Sequence, residues 1–198
     1  MVAQFMITNR LGLLIIDMQN FYLVHKEVYP GIEVAYGQLV KPIRRLIDQA
    51  HVVGAAVIYV AMTVTRPQTG SRFSRWVNQG VKAPQSDYEI VDELKPGPQD
   101  FVVNKCRFNG FLNSELPLLV RNLGIDTLIV TGIVTEVCVE STVRGAIDND
   151  IRVVLPEDCT GSSSEDKKQV SLRNLANFGH GVEITSSEKI LNTILAAR

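Results

Sequence analysis

Along this chain, unbroken apolar runs alternate with stretches in which apolar residues return every three or four positions. Leu11-Gly12-Leu13-Leu14-Ile15-Ile16 and Ala56-Val57-Ile58-Tyr59-Val60-Ala61-Met62 show no polar alternation. That pattern belongs to strands covered on both faces, and hence to a parallel sheet. Between them, after the Pro30-Gly31 loop, Leu39, Ile43, Leu46, Ile47 and Ala50 recur at helical spacing, with Pro42 as a first-turn position or a kink. A strand at Phe101-Val102-Val103 ends at Lys105, a helix runs from about Asn113 to Asn122, and a strand covers Thr127-Leu128-Ile129-Val130. Gly132-Ile133-Val134-Thr135 reads as a turn, followed by a helix through Cys138, Val139, Thr142, Val143 and Ala146. A strand at Ile151–Leu155, a helix capped from Ser162-Ser163-Ser164-Glu165, a short strand at Val182-Glu183-Ile184 and a helix from Ser187 to Ala197 complete the order. Six strands alternating with helices predict a doubly wound α/β fold in a single domain, residues 1–198.

The stretch from Thr65 to Pro98 breaks the rhythm. It is rich in Pro, Gly, Ser, Gln and Arg, with Phe73 and Trp76 embedded in it. Long irregular connections of this kind are often lids or binding loops.

Composition narrows the classes of partner. A formal net charge of −1 with 21% charged residues leaves no cationic surplus for nucleic acid. Arg44-Arg45 and Asp166-Lys167-Lys168 read as solvated helix faces. Cys106, Cys138 and Cys159 are too few for a disulfide framework and suit a reducing compartment. Met1–Arg10 lacks the apolar core of a secretory signal, and Leu11–Ile16 is too short to span a bilayer. The expectation is a cytoplasmic protein that contacts neither nucleic acid nor membrane.

Open α/β sheets bind ligands beyond the carboxyl ends of their strands, near a reversal of strand order. Three polar residues fall there: Asp17 after the first strand, Lys105 after the third, and Cys138 after the fourth. Taken singly, Asp17 reads as a turn residue, Lys105 as a solvated strand end and Cys138 as a small buried hydrophobe. Together they form a nucleophile, base and cation set. A thiol near a helix start beside a lysine favours thiolate, and a carboxylate can accept its proton. Cys106, one residue after Lys105, should point the opposite way, into the core; Cys159 follows the fifth strand, and both read as structural. His25, His51 and His180 share no ligand spacing, and no phosphate-binding glycine loop is present, so neither a metal nor a cofactor is called for.

Leu13–Phe21, Lys105–Phe111 and Thr131–Thr142, with Gly132-x-x-Thr135-x-x-Cys138-Val139-x-x-Thr142 the most specific, resemble the isochorismatase-like cysteine hydrolase superfamily from about Leu11 to Ile184. The resemblance implies a six-stranded parallel sheet with helices on both faces and a catalytic triad of Asp17, Lys105 and Cys138. It further implies a non-proline cis peptide at Ile133–Val134, and an oxyanion hole from the backbone N–H groups of Val134 and Cys138. The segment Thr63-Val64-Thr65-Arg66-Pro67 lacks the Asp-x-His metal motif of nicotinamidases, and isochorismatases proper lack the cysteine. The nearest likeness is to N-carbamoylsarcosine amidase-like, metal-free amidohydrolases that cleave small N-carbamoyl, ureido or linear amides, and that form homodimers or homotetramers. One departure is Asn109-Gly110-Phe111 where the family often has Ser-Ala-Phe. Phe21, Trp76 and Phe111 are candidate pocket walls, or plain core; Arg66 and Arg107 could clamp a substrate carboxylate, or face solvent; Thr135 is a further candidate substrate contact. The alternatives are a hydrolase of this fold acting on an ester or vinyl ether, and an inactive oligomeric binding protein. Rapid alkylation of Cys138 near neutral pH would distinguish the active forms from the inactive one.

Overall fold

The first strand, β1 (Leu11–Ile16), is buried at every position, and its alternating side chains serve two different cores. Leu13 and Ile15 pack with Ile32, Ile43, Ile47 and Ile190, whereas Leu14 and Ile16 pack with Leu116, Val120, Val143 and Leu172. A strand with two apolar faces requires a layer on each side, and that requirement makes the molecule three-layered. A computed structural model describes residues 10–63 and 83–196.

The described elements run β1, α1 (Phe21–Val24), α2 (Ile32–Val53), β2 (Ala56–Met62), β3 (Phe101–Lys105), α3 (Leu116–Asn122) and β4 (Thr127–Ile133). They continue with α4 (Glu140–Ile147), β5 (Arg152–Pro156), β6 (Thr160–Gly161), α5 (Glu165–Ala176), β7 (Val182–Thr185) and α6 (Ser187–Ala196). The sheet order is β3-β2-β1-β4-β5-β7, every pairing is parallel, and the two-residue β6 adds to the end of β4. The order reverses between β1 and β4, so the crevice that such sheets use for ligands opens where Asp17 and the segment after Ile133 emerge.

Most predicted elements match, with instructive differences. The helix before β2 starts ten positions ahead of Pro42, so that proline lies well inside α2. Gly54, with φ +73°, stops the helix and donates its N–H to the carbonyls of Ala50 and His51. The helix expected from Asn113 begins only at Leu116, because Asn113 sits at φ +56°, outside helical space. Gly132 and Ile133 are not a turn: β4 continues through them, paired with Ile16 on one side and with Thr160 and Gly161 on the other. Gly132 has φ +112°, and a Cβ there would sit 2.0 Å from the Ile16 carbonyl oxygen, so only glycine permits this approach of β4 to β1. Ser164 caps α5 by accepting the Lys167 N–H, as its sequence suggests. Among the described residues, no helix is long and apolar enough to cross a membrane.

Candidate active site

Asp17 is the first residue past β1 and takes a left-handed backbone, φ +52°. Its N–H donates to the Val60 carbonyl at 2.9 Å, and its Oδ1 accepts the Met62 N–H at 3.1 Å. The chain then docks on a later segment. Asn20 N–H donates to Glu89 O, Val91 N–H to Met18 O, and Gln19 bridges to Ile90. The buried Gln19 side chain both donates to the Met62 carbonyl and accepts the Met62 N–H, each at 2.9 Å, and it also donates to Tyr88 O. An amide that gives and takes on one residue fixes the β1 exit against the β2 exit.

Lys105 ends β3 and is fully buried. Its ammonium lies 2.8 Å from Asp17 Oδ2, 3.3 Å from Cys138 Sγ and 3.2 Å from the Arg107 carbonyl oxygen. Those partners match its three donors, the condition under which a buried ammonium is tolerated. Burial opposes the charge, but Asp17 and then Cys138 outweigh it and hold the Lys105 pKa above its ordinary value.

Cys138 is carried by a π turn, Thr135–Val139, that leads into α4; it is 3% exposed. Three clasps hold this turn. Thr142 Oγ1 donates to the Cys138 carbonyl at 2.6 Å and accepts the Gly110 N–H at 2.9 Å. Ser171 Oγ donates to Glu140 at 2.6 Å, and Ser162 Oγ to Glu136 Oε1 at 2.9 Å. The Ile133–Val134 peptide is cis, as the resemblance implies. The expected thiolate is corrected by the structure: burial first, then the Asp17 carboxylate, push the Cys138 thiol up, and Lys105 offsets this only in part.

The three separated candidates therefore meet at one rim of the sheet. The other candidates scatter. Phe21 is core, stacked on Tyr88 at 5.1 Å and tilted on His25 at 4.8 Å. Phe111 belongs to the buried cluster that contains Cys138. Thr135 is buried, and its hydroxyl has no hydrogen-bond partner among the described residues. Arg107 Nη1 donates to the Cys106 carbonyl at 2.7 Å. Arg66 and Trp76 lie outside the described residues. Cys159 is buried in the core as expected, but Cys106 is not. Cys106 is half-buried and lines, with Thr63, Asn104, Asn113 and Glu115, a polar cavity of about 430 Å³ that reaches Lys105. Among the described residues, the β3 face opposite Lys105 is uncovered, with Val102 and Asn104 exposed on it, so Cys106 has no core to enter there.

Two tyrosines were missed by sequence reasoning. The Tyr22 phenol, on α1, is raised well above its ordinary value by burial, then by Asp17 and Cys138. Tyr29, whose ring packs on Tyr22 at 5.6 Å, is pushed up to about 12 by burial, then by Cys138 and Asp17, with Glu136 adding to it and Lys105 opposing. Both phenols therefore lie within electrostatic reach of the acid and the sulfur. The only hint in the sequence is that Tyr22 and Tyr29 are two of the three aromatics between the β1 exit and Gly31.

A family model described as the isochorismatase domain matches residues 12–189. The chain is 32% identical over 194 residues to the ureidoacrylate amidohydrolase RutB of Yersinia enterocolitica serotype O:8, with 86% of this chain and 84% of that one covered. To the protein of the same name from Pseudomonas savastanoi pv. phaseolicola it is 44% identical over 93 residues, 46% of this chain. That alignment spans only 38% of the relative's length, and the one to the Pantoea ananatis protein 37%. Among solved structures, a cysteine hydrolase from Pseudomonas syringae pv. phaseolicola matches with TM-score 0.84 at 25% identity, covering 96% of this chain and 94% of that one. The N-carbamoylsarcosine amidase of Thermoplasma acidophilum matches in fold, with TM-score 0.70 at 23% identity over 90% of this chain and 96% of that one.

Proposed function

The chain belongs to the isochorismatase-domain family, and on that premise we propose that it is an amidohydrolase that uses Cys138 to cleave a C–N bond of a small N-carbamoyl, ureido or linear amide substrate. The observation that carries this reading is the Lys105 ammonium held between a carboxylate at 2.8 Å and a thiol at 3.3 Å, at the point where strand order reverses. The names of the curated relatives add a chemical class, ureido hydrolysis.

In the proposed reaction Asp17 takes the thiol proton as the sulfur attacks the carbonyl carbon. The negative charge of the sulfur is shared by Lys105, and the new charge on oxygen is met by the backbone N–H groups of Val134 and Cys138. Losing one such donor typically costs about 3–4 kcal/mol of barrier. Asp17 then returns its proton to the leaving nitrogen, the C–N bond breaks, and ammonia departs from a thioester or thiocarbamate. The same carboxylate deprotonates a water that attacks the acyl carbon, and the proton goes back to sulfur as the C–S bond breaks. A resting thiol with an adjacent carboxylate suits this sequence, since the proton has an acceptor in place before substrate arrives.

The test is ammonia release from a panel of ureido and linear amides by the wild type and by Cys138→Ser. Turnover lost in the variant, with the fold retained, is the expected result. Equal release by both would end the assignment.

A further inference from the structure

Lys105 and Cys138 arrive from different strands, and the segment that leaves Lys105 lies directly on the helix that follows Cys138. Thr142, buried on α4, is where the two are joined. Its hydroxyl donates to the Cys138 carbonyl at 2.6 Å and accepts the Gly110 N–H at 2.9 Å, so the group both gives and takes. A bond to the carbonyl four residues back is common for threonines within helices. The bond from Gly110 has no such local origin, because it comes from the segment after Lys105. One turn further along α4, Asn109 rests on Gly145, where an added Cβ would lie 2.4 Å from Asn109 Oδ1 and 2.7 Å from Nδ2. That Oδ1 accepts the Phe111 N–H at 2.8 Å, which fixes the amide in the space a methyl group would need. The same segment supplies the Arg107 carbonyl that accepts from the Lys105 ammonium at 3.2 Å. A short path therefore runs from the ammonium through residues 107–110 to Thr142, and so to the backbone of the cysteine.

We propose that residues 107–111 form a brace, pinned to α4 by the Thr142 hydroxyl and by the Asn109 amide seated on Gly145, and that Thr142 and Asn109 are positioning residues that set the spacing between the Lys105 ammonium and the Cys138 sulfur. This rests on taking Cys138 as the nucleophile. Neither side chain acts on the substrate; each acts through the backbone that carries the reacting pair. Chemistry is sensitive to such placement, and an error of about 1 Å can cost about a hundredfold in rate. The brace also accounts for a glycine inside a helix. Alanine, ordinarily preferred there, would drive the Asn109 amide off the Phe111 N–H.

The test compares the wild type with Thr142→Val, Thr142→Ser, Gly145→Ala, and Gly145→Ala combined with Asn109→Ser. Valine keeps the shape of threonine without the hydroxyl, and Thr142→Ser keeps the hydroxyl. Asn109→Ser removes the colliding atoms and retains an oxygen for the Phe111 N–H. Two reactions are followed: ammonia release from the fastest-cleaved ureido or linear amide, and alkylation of Cys138 by chloroacetamide, in which the sulfur displaces chloride and no turnover is needed. Thr142→Val and Gly145→Ala lower kcat by about tenfold or more with KM within about twofold, and slow the alkylation of Cys138 to a similar degree. Thr142→Ser, and Asn109→Ser added to Gly145→Ala, bring both rates to within about threefold of the wild type. Urea midpoints verify each fold, and if Thr142→Val does not fold, the Gly145→Ala pair decides alone. Equal rates for Thr142→Val and Thr142→Ser, a change confined to KM, faster alkylation in Thr142→Val or Gly145→Ala, or a Gly145→Ala defect that Asn109→Ser does not relieve overturns the inference. A wild type that releases no ammonia from any amide would refute the hydrolase reading, and the order of the alkylation rates would still decide this one.

Discussion

The Lys105 ammonium stands 3.3 Å from the Cys138 sulfur, and neither group has appreciable contact with solvent. The lysine reaches this place from the edge strand of the sheet, and the cysteine from a turn after the strand on the far side of β1. Asp17, at the end of β1 between them, lies 2.8 Å from the same ammonium. Burial and the nearby carboxylate push the Cys138 thiol up, and the ammonium pulls the other way.

Removing the cation should be costly for the fold as well as for chemistry. Lys105→Ala strands Asp17 as a buried carboxylate without its counter-ion, and the expected loss is about 3–5 kcal/mol. Urea denaturation of the variant checks this. A midpoint equal to that of the wild type would mean that the ion pair does not hold in solution.

Reactivity of the thiols should invert the usual expectation for a nucleophile. With Cys138 buried and its pKa raised, iodoacetamide at neutral pH should label half-buried Cys106 first and leave Cys138 and Cys159 behind, so slow labelling of Cys138 does not mark the inactive protein as its sequence alone suggested. Peptide mapping by mass spectrometry at successive times reads the order. Fast, selective labelling of Cys138 would show that the free enzyme already holds a thiolate.

Stability should fall on the alkaline side. Lys105, Cys138 and Cys159 all have folded-state pKa values raised above their ordinary ones, as do Tyr22 and Tyr36. For each, the folded state holds its proton more tightly than the unfolded state does. The stabilisation is therefore fully present below the unfolded value and lost as pH rises past it, starting with the thiols near 9.0. Denaturation midpoints measured across pH should hold steady through neutrality and decline above that point; a rise there would contradict the assignment of these groups.

The approach of β4 to β1 gives a backbone test. Gly132→Ala places a methyl carbon 2.0 Å from Ile16 O and 2.6 Å from Ile16 N, in a conformation that L side chains rarely adopt. The expected destabilisation exceeds about 4 kcal/mol, or the protein fails to accumulate in soluble form. A variant that unfolds within about 1 kcal/mol of the wild type would disprove the close contact.

Much of this architecture was legible because its strongest signals are local. β1 and β2 announce themselves by apolar runs, and Asp17 and Lys105 stand out because each ends one. What escaped depended on partners remote in sequence. Gly132 looks like a chain breaker until Ile16 and the two-residue β6 are seen to require it inside a strand. The alternation that turns Cys106 away from Lys105 is sound, but its destination depends on that face of β3 being uncovered among the described residues, which no local pattern reveals. Tyr22 and Tyr29 come within electrostatic reach of Asp17 and Cys138 only through the fold, and the cysteine's expected ionisation is opposed by a burial that no local pattern reveals.

The docking of residues 18–20 on 89–91 carries an evolutionary corollary. The Thr63 N–H donates to the carbonyl of Lys105, and the returning chain is moored to Gln19 through Tyr88 and Ile90 and, through Asp87, to His25 at 2.8 Å. The intervening span thus begins and ends at fastened points beside the acid and the cation. A lineage could therefore exchange residues 64–82, like a fitting on a standard flange, while the ties on either side that seat Asp17 and Lys105 stay in place.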